Sequence, residues 1–434
     1  MVPVYNNKIY VKMVYLSILI FILVGFFYNY KNNWGRISES SGGVKENIIE
    51  NFDSTPLVRP KSSGETSLET TKIENSQGEE LIHINAKEFG AKGDGKTNDR
   101  VVLQKAIDSI ANSESGGTLF LPEGVYAIYD QSLALWGNNI SLIGENRERT
   151  VILKRGNAGQ YGDCVDIIGK VKGLKYFGDF GKGAYNKRTT YLGKTIPARD
   201  IKIANITLDT KLTKANPLAN NLGIINCERA LIENCNIKNA LQSNVAIVNV
   251  TNQHKNGKVK FRNCTFSNSG THNVRVISYN QGNLLGNDIT FEKCRFLEVS
   301  GADVHVKELK KILNGEKKVH LWYRGAKASG ATKVLVKDSY FDSSGIIFAN
   351  GNVNGLILTG NKIESTVYIL HSYRDDLSPA IRINNNRFSK RVDLVRKTLK
   401  RSEKDIFSKK NNVYIYPGML LKKTSVDIDN NPID

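Results

Sequence analysis

The chain has 434 residues, 40% of them hydrophobic, with 37 glycines and 9 prolines, enough to bury a large core in a turn-rich, all-β body. Its five cysteines are odd in number and contain no CxxC pair, which argues against a disulfide framework and against a zinc site. The formal net charge of +19 favours an anionic partner, and at this level nucleic acid, a membrane surface and an acidic polysaccharide are equally open.

Met13 to Tyr28 runs without a charge, between Lys8 and Lys12 on one side and Lys31 and Arg36 on the other. This is slightly short for a spanning helix and right for the apolar part of an export signal. Gly25 leads into Phe26, Phe27 and Tyr28 rather than a small-x-small cleavage site. Residues 1–36 are therefore expected to form an uncleaved signal anchor, transmembrane over about 13–29. The flanking charges balance, so they do not set orientation. The body is placed on the extracytoplasmic side of the cell membrane by its own nature, with a cleaved, secreted form as the alternative. Residues 37–80 hold nine acidic and four basic residues among Ser, Thr, Gly and Asn, and read as a disordered polar linker. Its net charge of −5 leaves about +24 on the rest.

The body, 81–434, opens with Phe89, Gly90, Ala91, Gly93, Asp94, Gly95, Thr97 and Asp99, followed by Gly116, Gly117, Thr118, Leu119, Pro122, Gly124 and Tyr126. Between these groups Leu103, Ala106, Ile107 and Ile110 form one apolar helical stripe, with Thr97 or Asn98 as its cap. Gly90 to Gly95 reads as a turn and Thr118 to Leu121 as a strand, with Ile140 to Gly144 and Thr150 to Ile152 as the next coil. There is no GxxxxGK[ST], so the glycines are not a phosphate loop. This segment closely resembles the opening of the pectate-lyase-like superfamily, which includes lyases, glycoside hydrolases, mannuronan epimerases and tailspikes. The resemblance implies a right-handed, single-stranded parallel β-helix whose open end is closed by the helix. It implies no particular reaction.

Downstream, the tyrosine- and lysine-rich stretch from Gly156 to Arg199 reads as a long loop that can wall a cleft. Seven copies then follow of an apolar residue, a small or polar residue at +3 and an apolar one at +5. They are Ile203/Ile206/Leu208, Ile232/Cys235/Ile237, Phe261/Cys264/Phe266, Phe291/Cys294/Phe296, Val336/Ser339/Phe341, Leu358/Asn361/Ile363 and Ile383/Asn386/Phe388. Read as a strand repeated in register, they are spaced 29, 29, 30, 45, 22 and 25 residues apart. That is the period of a solenoid coil with one insertion, and such strands must stack, at roughly 4.8 Å each, to bury a face. Cys235, Cys264 and Cys294 occupy equivalent places and read as an inward stack of free thiols.

After each early copy comes a further strand, Asn244 to Val248, Asn273 to Ile277 and Asp303 to Lys307. Pairing Val245/Ile247 with Val274/Val276 and Val304/Val306 predicts outward columns Asn244/Asn273/Asp303, Ala246/Arg275/His305 and Val248/Ile277/Lys307. The insertion carries His320, Trp322, Tyr323 and Arg324, and counting back from the next copy puts His320 where Arg275 stands. Either segment can continue the column. His272 reads as a solvated turn residue.

These groups suit removal of the proton α to a uronate carboxylate. Arg275 or Arg324 would neutralise the carboxylate, His305 or Lys307 would act as base, and Tyr279 or Tyr323 as acid, with His320 a further catalytic candidate. Asn244, Asn273, Asp303 and Trp322 would bind substrate. Hydrolysis needs two carboxyl groups instead, with Asp163, Asp166, Asp303, Asp375 and Asp376 as candidates. The polygalacturonase-type motifs and the Asp-Pro-His of mannuronan epimerases are absent. Near the C-terminus, residues 390–404 are expected to form a basic helical cap over the last coil. The expectation is an exported, membrane-anchored protein acting on an acidic polysaccharide, by lyase-type elimination. The alternatives are a glycoside hydrolase and a non-catalytic binding factor in capsule or exopolysaccharide production. No metal, cofactor or nucleic acid is expected.

Overall fold

The computed structural model describes residues 71–74, 80–129, 131–156, 163–171, 195–212, 220–224, 227–249, 257–278, 288–299, 318–324, 333–351, 356–372, 381–389, 392–397, 412–415 and 426–429. The expected anchor, residues 1–36, lies outside these. Among the described residues no helix is long and apolar enough to cross a membrane. The expected linker is shorter than the sequence suggests, because Thr71–Glu74 is a strand paired antiparallel with Glu80–Asn85.

Among the described residues, three long sheets have 12, 10 and 10 strands. Each coil contributes one strand to each sheet in turn: Ile201–Ala204 to the first, Thr207–Leu212 to the second and Leu222–Ile224 to the third, before the chain returns to the first at Arg229–Glu233. The pairing between coils is parallel and in register, as Ile203↔Ile232 and Leu208↔Ile237 show. This is a parallel β-helix.

The seven-copy pattern is not one strand, as expected, but two joined at a corner. Its first apolar residue belongs to the first sheet and its last to the second. The residue at +2 turns the chain, and in six of the seven copies it is a non-glycine residue with φ between 51° and 57°: Asn205, Asn234, Asn263, Lys293, Asp338 and Asn385. Asparagine and aspartate tolerate this left-handed conformation better than other side chains, and Gly360 supplies it in the remaining copy. The +3 residue then points inward. Cys235, Cys264, Cys294, Ser339, Asn361 and Asn386 are all buried there. Burial pushes the thiols of Cys235 and Cys294 well up, as expected of inert core packing.

Aromatic stacking continues the order along the core. The rings of Phe261 and Phe291 lie 4.9 Å apart at 11°, and those of Phe296 and Phe341 lie 4.2 Å apart at 7°. At the start, the helix Arg100–Ala111 buries Leu103, Ala106, Ile107 and Ile110 and touches strands of all three sheets, closing the stack. Its N-cap is Asp99, not Thr97 or Asn98. The Asp99 carboxylate instead accepts the backbone N–H groups of Lys92 and Gly93 at 2.7 and 2.9 Å, pinning the glycine turn. Gly117 is glycine because a Cβ there would lie 2.0 Å from the Ile82 carbonyl oxygen.

At the other end, Val392–Lys397 is not helical. It adds a strand to the third sheet, in register with Thr366–Ser372, and Asn412–Ile415 pairs antiparallel beyond it. Val392 and Leu394 alternate with the charged Asp393 as a strand allows, and the stacked sheet edge overrides local helical preference. The remainder of the expected cap lies outside the described residues.

Candidate functional site

The outer face of the third sheet collects the polar chemistry. Its inward pairs Val165/Ile167, Leu222/Ile224, Val245/Ile247 and Val274/Val276 are all buried. The residue between each pair forms an outward column by strand alternation: Asp166↔Gly223, Gly223↔Ala246 and Ala246↔Arg275. The predicted Ala246/Arg275 and Val248/Ile277 registers are found. The open choice after Arg275 is decided by the strand Val319–Arg324, which stacks on His272–Ser278 with Trp322 opposite Arg275, Tyr323 opposite Val276 and Arg324 opposite Ile277. The same register position passes on through Phe348 to Tyr368. Tyr279, Asp303, His305 and Lys307 lie outside the described residues.

Arg275 is 9% exposed, and its Nε–H is buried with no acceptor among the described residues. A guanidinium withdrawn from water without an anion is costly, so the position is poised to receive one. The small Gly223 and Ala246 precede it in the column, and both are buried.

Three coils before Arg275 the column holds Asp166, with the Asp163 carboxylate beside it. A Cβ on Gly223 would lie 2.3 Å from Asp166 Oδ1 and 2.4 Å from Asp163 Oδ2, so the two oxygens are no more than about 4.7 Å apart, the sum of those distances. Asp163 Oδ1 accepts from the backbone N–H and the side-chain amide of Asn220, both at 3.1 Å. Asp166 Oδ2 accepts from Ser132 at 2.5 Å. Buried beside them is Lys154, whose ammonium donates to the Gln131 carbonyl at 3.0 Å. Desolvation pushes Lys154 down to about 8, against the pull of Cys164, Asp163 and Asp166, and it remains largely charged at neutral pH.

Asn244 and Asn273 are not outward substrate ligands. Both are fully buried at the corner entering the third sheet, in a ladder in which the amide of Asn221 donates to Asn244 at 3.1 Å and that of Asn244 to Asn273 at 2.9 Å. Each also caps a turn carbonyl, Asn244 that of Ser267 and Asn273 that of Leu297. Strand alternation begins only at the following valine, because the corner turns the preceding residue inward to satisfy those carbonyls.

His320 is the next rung of this ladder rather than the equivalent of Arg275. It is fully buried, its Nδ1 accepts from Asn273 at 3.1 Å and its Nε2 donates to the Asp342 carboxylate at 3.0 Å. Burial alone would raise Asp342, but the hydrogen bonds from His320, Ser344 and nearby backbone amides hold it well below the usual carboxylate range. His272 is likewise buried rather than solvated. Thr271 gives its hydroxyl proton to the Gln242 carbonyl, so His272 Nδ1 is the donor in its 2.7 Å contact with Thr271. Burial, then the charge of Arg275, keeps this imidazole neutral.

Lys154 and Gly223 escaped the sequence reading. The available signal for Lys154 was a charged residue in phase with Thr150 and Ile152 at inward positions. Gly223 would have required extending the column upstream of the first clear repeat.

Fold and repeat together define a parallel β-helix of three sheets. Residues 83–311, more than half of the chain, match the family described as rhamnogalacturonase A/epimerase, pectate lyase-like, and the chain belongs to that family. It is similar to alginate lyase 7 of Azotobacter vinelandii, 42% identical over 76 residues, which are 16% of this chain and 9% of that protein. It is also similar to the mannuronan C5-epimerase AlgE6 of the same organism, 43% identical over 77 residues, or 16% and 9% of the two chains. A longer match, 26% identical over 330 residues, covers 71% of this chain and 39% of the plasmin and fibronectin-binding protein A of Streptococcus pneumoniae. The chain thus spans well under half the length of each of these relatives.

Proposed function

We propose that this protein is an enzyme that cleaves an acidic, uronate-bearing polysaccharide by β-elimination along the outer face of the third sheet. The observation that carries this is Arg275, a buried side chain whose Nε–H has no acceptor among the described residues, set between small residues and register positions held by Trp322, Phe348 and Tyr368. Bound to the uronate carboxylate, it would acidify the α-proton and stabilise the aci-carboxylate formed when that proton leaves. His305 or Lys307 would take the proton, and Tyr279 would protonate the departing glycosidic oxygen, leaving a carbon–carbon double bond in the sugar; Tyr323 shares the register of the inward Val276 and drops out as the acid. The relatives named for alginate and mannuronan chemistry support a uronate polymer. Under this reading the N-terminal anchor holds the body outside the cell, and digestion of the body by protease added to intact cells checks that placement.

A second reading rests on Asp163 and Asp166. Paired carboxyl groups about 5–5.5 Å apart serve retaining hydrolysis, and one oxygen of each of these two lies within about 4.7 Å of the other. A panel of alginate, polygalacturonate and hyaluronate separates the outcomes. Ultraviolet absorbance of the unsaturated product, abolished by Arg275→Ala and weakened by Arg275→Lys, is expected. Reducing ends without that absorbance, lost in Asp163→Asn and Asp166→Asn, would establish hydrolysis instead. Binding without either would make the protein a scaffold.

A further inference from the structure

The outer register of the third sheet changes character along the stack. From coil to coil it passes through Asp166, Gly223, Ala246, Arg275, Trp322, Phe348, Tyr368 and Asp393. Upstream of Arg275 the positions are acidic or small, and Asp166, Gly223 and Ala246 are all buried. Downstream stand three aromatic residues on three successive coils, and then a second acid.

Strand propensity alone does not account for the aromatic run. Aromatic residues suit any strand, yet on the same three coils the outer register of the first sheet holds Thr290, Leu335 and Ile357, and that of the second holds Arg295, Tyr340 and Lys362. Nor does the core call for it. Each of the three positions alternates with a core residue of its own strand, Leu321, Ile347 or Val367, and those residues are buried. Aromatic residues repeated at one outer register have a use in binding, because a pyranose ring packs its C–H face on an aromatic ring while its hydroxyl groups stay in water.

We infer that Trp322, Phe348 and Tyr368 are three sugar-stacking subsites continuing from Arg275, so that a linear polysaccharide lies along the stack with one uronate at Arg275 and three further sugars downstream. The uronate at Arg275 rests on the proposed function. Three strand spacings, about 14 Å, separate Arg275 from Tyr368, a length close to three pyranose residues. With the upstream positions buried, a chain held at Arg275 extends over the downstream coils. The aromatic register brings no cation, so these subsites read the apolar face of a sugar rather than its carboxylate. Asp393, next in register, sets a carboxylate in the path of a fifth uronate and ends the run.

The test is calorimetric titration of the full chain with galacturonate and mannuronate oligosaccharides of two to six residues. Affinity within the bound series should rise with each added sugar up to about four and then level off. Leucine keeps apolar bulk in the strand while removing the ring. Trp322→Leu should weaken disaccharide and tetrasaccharide alike by about fivefold, whereas Tyr368→Leu should weaken the tetrasaccharide by about that factor and leave the disaccharide unchanged. Tyr368→Phe should restore the tetrasaccharide, and Asp393→Asn should let a fifth residue add affinity. Unchanged melting curves show that the variants are folded, and the length series on the unmodified chain needs no variant. Affinity independent of length, equal losses for disaccharide and tetrasaccharide in Tyr368→Leu, unaltered binding in both folded leucine variants, or no binding of either series would each overturn the inference. Arg275→Ala reports separately on the proposed reaction. A length series as expected, with no unsaturated product formed, upholds the subsites and removes elimination; elimination lost in Arg275→Ala but indifferent to both leucine variants removes the subsites alone.

Discussion

At His320 both ring nitrogens are spent inside the wall, on Asn273 and on Asp342. A residue used this way should tolerate replacement by the side chain that occupies the rungs before it. His320→Asn is therefore expected to fold and retain activity, whereas His320→Ala strands Asp342 and Asn273 and costs about 1–3 kcal/mol in denaturant unfolding. Loss of activity in a stable His320→Asn protein would return His320 to the chemistry. The sign of the linked pH effect follows from Asp342, whose folded carboxyl is held low. Its contribution is complete above the ordinary aspartate range and fades as pH falls, so His320→Ala should shrink the stability difference between neutral and acid pH. Gly223 makes a second test at this scale. A methyl group there would press on both Asp163 and Asp166, and Gly223→Ala should cost about 1–3 kcal/mol by overpacking while displacing the pair. Activity that persists at the wild-type level would remove the carboxylates from the mechanism.

Coils are held to one another by different devices on different faces, and these separate experimentally. Glu292 bridges Lys260 and Lys337, and their hydrogen bonds bring its carboxyl down to about 2 from the usual 4.5. Stability from this bridge is full above 4.5 and lost as pH falls toward 2, so Glu292→Gln should destabilise at neutral pH and be nearly silent at pH 2 when melting curves are compared. The core stack carries no such dependence. Phe291→Ala, which removes a ring stacked on Phe261 and edge-on to Phe296, should cost about 3–5 kcal/mol at either pH. How much of this was legible in the sequence depends on what each position must satisfy. Inward residues such as Phe261, Cys264 and Phe266 must be apolar or small, so they repeat visibly. The corner was also written there, in Asn205, Asn234, Asn263, Lys293, Asp338, Gly360 and Asn385 at +2, but a strand template does not look for left-handed residues. Asn244, Asn273 and His320 misled because a buried amide ladder and a ligand-binding column use the same residue types. Only the path of the backbone at the corner tells them apart.

For the molecule as a whole, a stack of coils has two ends that would otherwise present apolar core and unpaired strand edges to other chains. At the start this exposure is met by the helix Arg100–Ala111. Gln104 fixes it to the third sheet by accepting the Ala134 N–H at 2.8 Å and donating to the Ala134 carbonyl at 3.0 Å, while Asp108 accepts from Trp136 Nε1 at 2.7 Å. The position of Ile107, fully buried against the first coils, makes the helix a lid on the core. Val101, on the same helix, is 48% exposed and contributes little to that closure. Ile107→Asp should therefore lift the helix and leave the first coils able to pair with another copy, seen as higher-mass species in light scattering and faster amide exchange in Thr118–Leu121. Val101→Asp should leave mass and exchange unchanged, since it alters charge on the helix without uncovering the core. If both variants stayed at the wild-type mass with wild-type exchange, the end of the solenoid would be protected by something other than this helix.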